Sequence, residues 1–393
     1  MTTSTPHQSR QPYLDWLRIG AFGLLVLYHV GMLYVSWPFH IKSPVTFTAL
    51  EPWMRLLNPW RMSLLFMISG LATGLMLGRP GLARQRSQRL LLPLLLGVAV
   101  VVPPQAYLEV RQQLGYAGGY ADFLRLYFSG YAGFCRQDQC LRLPTWNHLW
   151  FLPYLWVYTA VLLAAWRLLP RHRLSRWANG AAGLAGWRLL FWPWALLALA
   201  RLVLLPRFGD THALVDDWYN HAVYGAVFAF GVLLARRPVL LARLEQLRWP
   251  ALCVTFAAWL ALVAASGHLA AWPEVPEVVR LPLRALYAAQ QWGALVAAFG
   301  FARRHLNRDH RWRAPLNEAV FPLYIVHQTL IIAGAVALFG RGLPVGVEAF
   351  VLVAGAWAGG LLAWQLARRL PWLRPWMGLA AAPAAQREVA AKG

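Results

Sequence analysis

The chain has 393 residues, of which 59% are hydrophobic, with 22 tryptophans and a mean hydropathy of +0.44. A soluble globule has no need of so much apolar sequence, and a polytopic membrane protein does. The formal net charge is +22, yet all but two of the 37 basic residues are arginines gathered between apolar runs, which fits topology signals better than a nucleic-acid surface.

Met1 to Gln11 reads as a short polar tail, and the span after it is too long for the apolar region of a cleavable signal peptide. Ten spans of about 20 apolar residues, bounded by charge or proline, can be drawn at 17-37, 60-78, 90-108, 148-168, 189-206, 220-235, 250-267, 284-302, 319-339 and 347-367. The fold class expected is therefore all-α, a polytopic transmembrane helical bundle of about ten membrane-spanning helices. Residues 1-375 read as one membrane domain, and 376-393 as a cytoplasmic tail without fixed structure. One alternating set of loops, with both terminal tails, holds more than twice as many basic residues as the other set, which puts both termini in the cytoplasm.

The first span carries two residues that lipid does not favour, Arg18 and His29. They are eleven positions apart, three helical turns plus about 20°, so they share one stripe about 16 Å long. Asp15 lies three residues before Arg18, where a helix lets the two pair. Residues 52–61 read as interfacial, with Trp53 and Trp60 at headgroup level. In the second span, LLFMISGLATG sets Ser69 and Gly70 where small residues allow close helix packing or a local break. The following loop, RPGLARQRSQRLLLP, holds Arg84, Arg86 and Arg89, whose planar guanidiniums suit phosphate oxyanions. A basic inside loop of this kind is equally a plain topology signal.

The longest external segment, 109 to 147, contains the loop CRQDQC. There Cys135 and Cys140 can form a disulfide or remain thiols, and Cys253 falls in a span. TWNHLWFL then places Asn147, His148 and Trp150 at the outer end of the fourth span, where a histidine is expected to meet water. In FPLYIVHQTL of the ninth span, Tyr324 and His327 share a face, either as a hydrogen-bonded structural pair or as a proton-handling site. HExxH, GxSxG and GxxxxGK[ST] are absent, which weakens metalloprotease, hydrolase and nucleotide-triphosphatase readings; no metal site is expected.

In chain order, Arg18 followed by ten residues and His29, then FMISG, then RxxRLLLP at Arg86, Arg89 and Pro93, then NHLWFL and PLYIVH, resembles the acyltransferase-3 family of ten-span membrane acyltransferases. The run YLDWLRIGAFGLLVLYHVGMLYVSWPFHIK looks like its glucan C-type biosynthesis branch, whose members modify periplasmic glucans. The family's small-residue motif commonly ends in an aromatic residue, whereas Leu71 follows Gly70 here.

The resemblance implies an acyl group, acetyl or succinyl, moved from cytoplasmic acyl-CoA to a hydroxyl of an extracytoplasmic carbohydrate. No bound cofactor or nucleic acid is involved, and the setting is the bacterial inner membrane. An imidazole titrates near neutrality, so His29 would serve as the base on that hydroxyl, with Arg18 and Asp15 beside it. Arg84, Arg86, Arg89, Ser69 and Gly70 would bind the donor. His148, Asn147, Trp150, Tyr324 and His327 would line the acceptor side or relay protons. The rival reading is a multi-span transporter or flippase that uses Arg18 and His29 for substrate and proton coupling, against which no pair of matching halves is found.

Overall fold

Each of the ten apolar segments is helical in the computed structural model, which describes residues 11–136, 139–269, 272 and 274–380. The first half contains α1 (Pro12–Met32), α2 (Glu51–Leu57), α3 (Arg61–Met76), α4 (Leu82–Leu96), α5 (Pro103–Leu114), α6 (Tyr120–Phe128), α7 (Phe151–Leu168) and α8 (Arg171–Ala182). The second contains α9 (Trp187–Val203), α10 (Leu205–Phe208), α11 (Trp218–Arg236), α12 (Pro238–Gln246), α13 (Arg248–Leu269), α14 (Glu277–His305), α15 (Arg313–Leu338) and α16 (Val345–Arg369). The β structure among the described residues is a two-residue pair, Cys135–Arg136 against Gln139–Cys140, closed by a disulfide between Cys135 and Cys140.

Seven helices are long and apolar enough to cross a membrane, or eight when the bent α4–α5 pair is taken as one span, against the ten drawn from sequence. Two causes account for the difference. Helix α3 has only 16 residues, short of the roughly 20 that a bilayer core needs. Helix α14 carries Gln290 and Gln291 in its middle, and both are buried in protein: Gln291 donates to Ser63 Oγ at 2.7 Å and Gln290 to the carbonyl of Arg55 at 2.9 Å.

Burial separates the centre of the bundle from its rim. More than half of the apolar stretches of α1 and α15 is buried, 56% and 61%, against 11% of α13 and 22% of α9 and α16, whose remaining faces are left for lipid. Of the seven long apolar helices, the two most buried are therefore the ones that carry Arg18, His29 and His327.

Helix α1 starts with Pro12 in its first turn, where a missing N–H leaves no hydrogen bond unmade. Beyond its last turn, the Lys42 ammonium donates to the carbonyls of Met32 at 2.7 Å, Val35, and Trp37 at 3.2 Å, a cation set on the negative end of the helix. Between α4 and α5, a π-helical turn at Gly97–Val101 and the prolines Pro103 and Pro104 bend the chain by 42°. The bend turns Gln105 into the protein interior.

Helices α3 and α11 cross at backbone contact. A Cβ on Gly70 would lie 2.0 Å from the Phe228 carbonyl oxygen, and one on Gly231 would lie 2.2 Å from that of Met67. The long segment between α4 and α7 builds a small core of its own from Val110, Phe123, Tyr127 and Phe134. Past α16, Met377 and Leu379 are buried in the main core, so the packed domain continues into the stretch expected to be a loose tail; residues 381–393 lie outside the described residues.

Candidate active site

Two groups of polar side chains lie along α1, one near each end. Near the N-terminal end, Arg18 Nη1 donates to Asn317 Oδ1 of α15 at 2.9 Å. Arg86 is buried and donates through Nη2 to Thr73 Oγ1 of α3 at 2.7 Å, leaving its Nε without a partner. Arg89 lies over the ring of Phe321, 5.9 Å from its centre. Both Arg18 and Arg89 act on Arg86 electrostatically, so α1 and α4 set three arginines into one small region. Arg84 is exposed outside it.

The pairing expected between Asp15 and Arg18 is loose, at 4.0 Å. The nearer partner of Asp15 is Arg313 of α15, which also binds Asp309 at 2.8 Å. The α1–α15 interface offers Asp15 a buried guanidinium, and this outcompetes the neighbour three residues along its own helix. Gly70 packs against α11, and the carbonyl of Ser69 accepts from Thr73 Oγ1 at 2.7 Å. These two residues thus shape α3, and Thr73, four positions on from Ser69, is the one that meets an arginine.

Near the other end, α1, the 3-10 turn Asn147–Trp150 and α15 bring three histidines together. His29 Nδ1 lies 2.8 Å from His327 Nε2, with the rings stacked at 5.0 Å and 16°. His327 Nδ1 lies 2.7 Å from the Tyr324 carbonyl oxygen, and His148 Nε2 lies 3.0 Å from that of Ile325. A carbonyl oxygen only accepts, so each ring nitrogen facing one carries the proton. The protonation pattern of the neutral cluster follows. His327 Nε2 is an acceptor, His29 Nδ1 donates to it, and His29 Nε2 holds a lone pair.

His148, expected to be wet, is 7% exposed. The turn that precedes α7 folds it inward, where its ring lies 5.0 Å from that of His327. Gln105, delivered by the α4–α5 bend, ties the cluster together. Its Nε2 reaches Thr329 Oγ1 at 2.6 Å and His148 Nδ1 at 3.4 Å, while its Oε1 accepts from Gln328 at 3.1 Å and Asn147 at 3.3 Å. The Tyr324 hydroxyl donates to the carbonyl of His148 at 2.9 Å rather than to a histidine ring. Among the described residues, no group of three or more His, Cys, Asp or Glu side chains is placed to hold a metal ion.

The sequence matches the acyltransferase-3 family, described as an acyltransferase domain, over residues 11–369. The chain belongs to this family. No curated protein and no solved structure matches it.

In this acyltransferase, His29 lines a cavity of about 100 Å³ together with Asn58, Arg61, Asp210, His212 and Tyr224, five residues that sequence reasoning did not single out. Trp150 lines it too, its ring 4.0 Å from that of His212. Asp210 and His212 come from the loop between α10 and α11, where His212, Leu214 and Asp216 all have positive φ, at 54°, 68° and 60°. Non-glycine residues held there are strained, and such strain persists only when surrounding contacts enforce it. Tyr154, Asp217, Asn220 and His221 supply them: Leu214 N–H donates to Tyr154 Oη at 2.8 Å, and His221 Nε2 meets the Leu214 carbonyl at 2.7 Å. Burial pushes the His212 imidazole below its ordinary pKa, against the upward pull of the Asp210 carboxylate at 3.3 Å.

A cleft of about 1140 Å³ opens beyond the same end of α1, lined by Trp37, His40, Lys42, Glu109, Gln112 and Gln113 among others. His40 Nδ1 pairs with Glu109 Oε2 at 2.6 Å. Phe39 lines the cleft and stacks on His29 at 6.0 Å and 23°, so a single ring separates the cleft from the histidine cluster.

Proposed function

We propose that the enzyme transfers an acyl group from cytoplasmic acyl-CoA to a hydroxyl of an extracytoplasmic glycan, with His29 as general base. The observation that carries this reading is the hydrogen-bond chain from His29 Nδ1 to His327 Nε2 and from His327 Nδ1 to the Tyr324 carbonyl. It supports a proton acceptor at His29 Nε2, inside a cavity, with a second imidazole behind it to share the charge it gains.

The donor end is supported by Arg18, Arg86 and Arg89. Arg86 is fixed by Thr73 and keeps a buried unpartnered Nε, which suits it to a phosphate. Along α1, Arg18 and His29 are about 16 Å apart. This is of the order of an extended pantetheine arm, so the thioester would reach His29 while the phosphates stay with the arginines. The acceptor hydroxyl gives its proton to His29 Nε2 as its oxygen attacks the thioester carbonyl. Coenzyme A then leaves as a thiolate and takes that proton back.

The basic-residue asymmetry supports cytoplasmic termini and the bacterial inner membrane, with the arginine end inside. The wide cleft, lined by amides, charges and aromatic rings, supports a carbohydrate acceptor large enough to be a periplasmic glucan. The acyl group is acetyl or succinyl. The test is purified protein with acetyl-CoA and succinyl-CoA, combined with mass spectrometry of envelope glycans from cells with and without the gene. Release of free coenzyme A together with a gene-dependent acyl ester on a glycan is expected. Transport of a glycolipid with no acyl-CoA turnover would replace this reading with the transporter.

A further inference from the structure

Arg61 opens α3 and faces the same cavity as His29. Its Nη1 donates to Asn58 Oδ1 at 2.5 Å, and its guanidinium lies 3.5 Å from the centre of the Tyr28 ring, next to His29 in sequence. Tyr28 donates its hydroxyl proton to the same Asn58 oxygen at 2.9 Å, so the guanidinium is clamped against the end of α1 that carries His29. The clamp supplies no charge. No carboxylate lies within 4.0 Å of Arg61 among the described residues, and its Nε is buried without a hydrogen-bond partner. The one carboxylate on the cavity wall, Asp210, is engaged with His212 at 3.3 Å and Asn220 at 2.8 Å. Other arginines also have a buried, unpartnered Nε, but Arg61 is the only arginine on this cavity among the described residues.

A guanidinium held inside a membrane bundle with no carboxylate in contact is expensive unless an anion visits it. Acyl transfer makes one there. When the acceptor oxygen bonds to the thioester carbon, the C=O π pair moves onto oxygen. That oxyanion exists only until C=O re-forms and the C–S bond breaks.

We propose that Arg61 is a catalytic residue whose guanidinium receives this oxyanion, opposite the base, His29. The proposal rests on the acyl-transfer reading of the same cavity. Arg18, Arg86 and Arg89 belong to the donor's stable charges; Arg61 belongs to a charge present only during the reaction, and so should act on kcat and leave donor binding alone.

The test uses the full-length purified enzyme and its Arg61→Ala, Arg61→Gln and Arg61→Lys variants. Acyl-CoA turnover, direct binding of acetyl-CoA and thermal unfolding are measured for each. Arg61→Ala and Arg61→Gln should lose about 10² to 10³ in kcat, with acetyl-CoA affinity and unfolding temperature close to wild type. Arg61→Lys should retain part of the rate, and added methylguanidinium should restore turnover to Arg61→Ala, a rescue that a structural arginine would not show. If Arg61→Ala does not fold, Arg61→Gln, which keeps most of the side chain's bulk, takes its place. Near-normal kcat in either folded variant overturns the role, as does a loss that follows acetyl-CoA affinity or folded yield and is not rescued. Absence of turnover in the wild-type enzyme overturns the acyl-transfer reading first and this assignment with it.

Discussion

His29 and His327 stand 298 positions apart in the chain and 2.8 Å apart in space, Nδ1 to Nε2, across the interface of α1 and α15. The Tyr324 carbonyl fixes the far ring nitrogen, and with it the tautomer of both imidazoles. This pair gives the site its direction, because among the described residues the one ring nitrogen of the three histidines left with a lone pair and no hydrogen-bond partner is Nε2 of the cavity-lining His29.

If His327 orients His29, its substitutions should rank by whether they can still accept a hydrogen bond. His327→Leu leaves His29 Nδ1–H buried and unpaired, a loss of about 1 to 3 kcal/mol, or roughly fivefold to somewhat over a hundredfold in kcat if it falls on the transition state. His327→Gln keeps an acceptor oxygen and should retain more activity. Steady-state turnover of the two purified variants decides this. Equal rates would leave His327 a packing residue.

Donor affinity should divide the arginines by their setting. Losing a charge-assisted phosphate contact removes about 1.5 to 3 kcal/mol. Arg86→Ala and Thr73→Val, which frees the Arg86 fork, should therefore raise the KM for acyl-CoA, the first by roughly ten- to hundredfold. Exposed Arg84→Ala should change it little. An unaltered KM in Arg86→Ala would return that loop to a topology signal.

Gly70 is predicted to matter through packing. A methyl group at Gly70 meets the Phe228 carbonyl oxygen at 2.0 Å, backbone that cannot step aside unless α3 and α11 separate. Gly70→Ala should cost about 1 to 3 kcal/mol of stability, seen as a lower unfolding temperature in detergent. A variant of normal stability but altered donor KM would instead place Gly70 in the donor site.

His212 supplies a pH test. Its folded pKa lies below the ordinary imidazole value, so the unfolded chain takes up a proton first as pH falls. The contribution is complete above about pH 6.5 and declines as pH drops from there toward the folded pKa. One such group changes stability by at most about 1.4 kcal/mol per pH unit. His212→Gln should therefore lose less stability than wild type between neutral and mildly acidic pH. An identical slope would mean that His212 stays solvated.

Much of the frame was readable in the chain, because a lipid span needs an apolar run and an ionisable residue inside one stands out. Arg18, His29 and His327 were visible for that reason. Their partners were not. Local spacing displays the Asp15–Arg18 pair, which the structure has at 4.0 Å, but not the nearer partner of Asp15, Arg313, which comes from α15. A histidine just ahead of a span reads as wet, and only the 3-10 turn before α7 shows His148 turned inward. Arg61, Asp210 and His212 sit where loops meet helices, and polar residues are ordinary there. A faint signal existed at Arg61, an arginine at the start of an apolar run with Asn58 one turn before it.

The most direct measurement is the turnover number of purified His29→Gln with acyl-CoA and glycan acceptor, taken beside its acetyl-CoA affinity and unfolding temperature. A positioned base contributes about 10² to 10⁴ in rate. If His29 is that base, the variant, which keeps polar bulk and loses basicity, will fold and bind the donor like wild type and lose activity by that factor. Near-normal turnover by folded His29→Gln would contradict the assignment and pass the role to another histidine of the cluster.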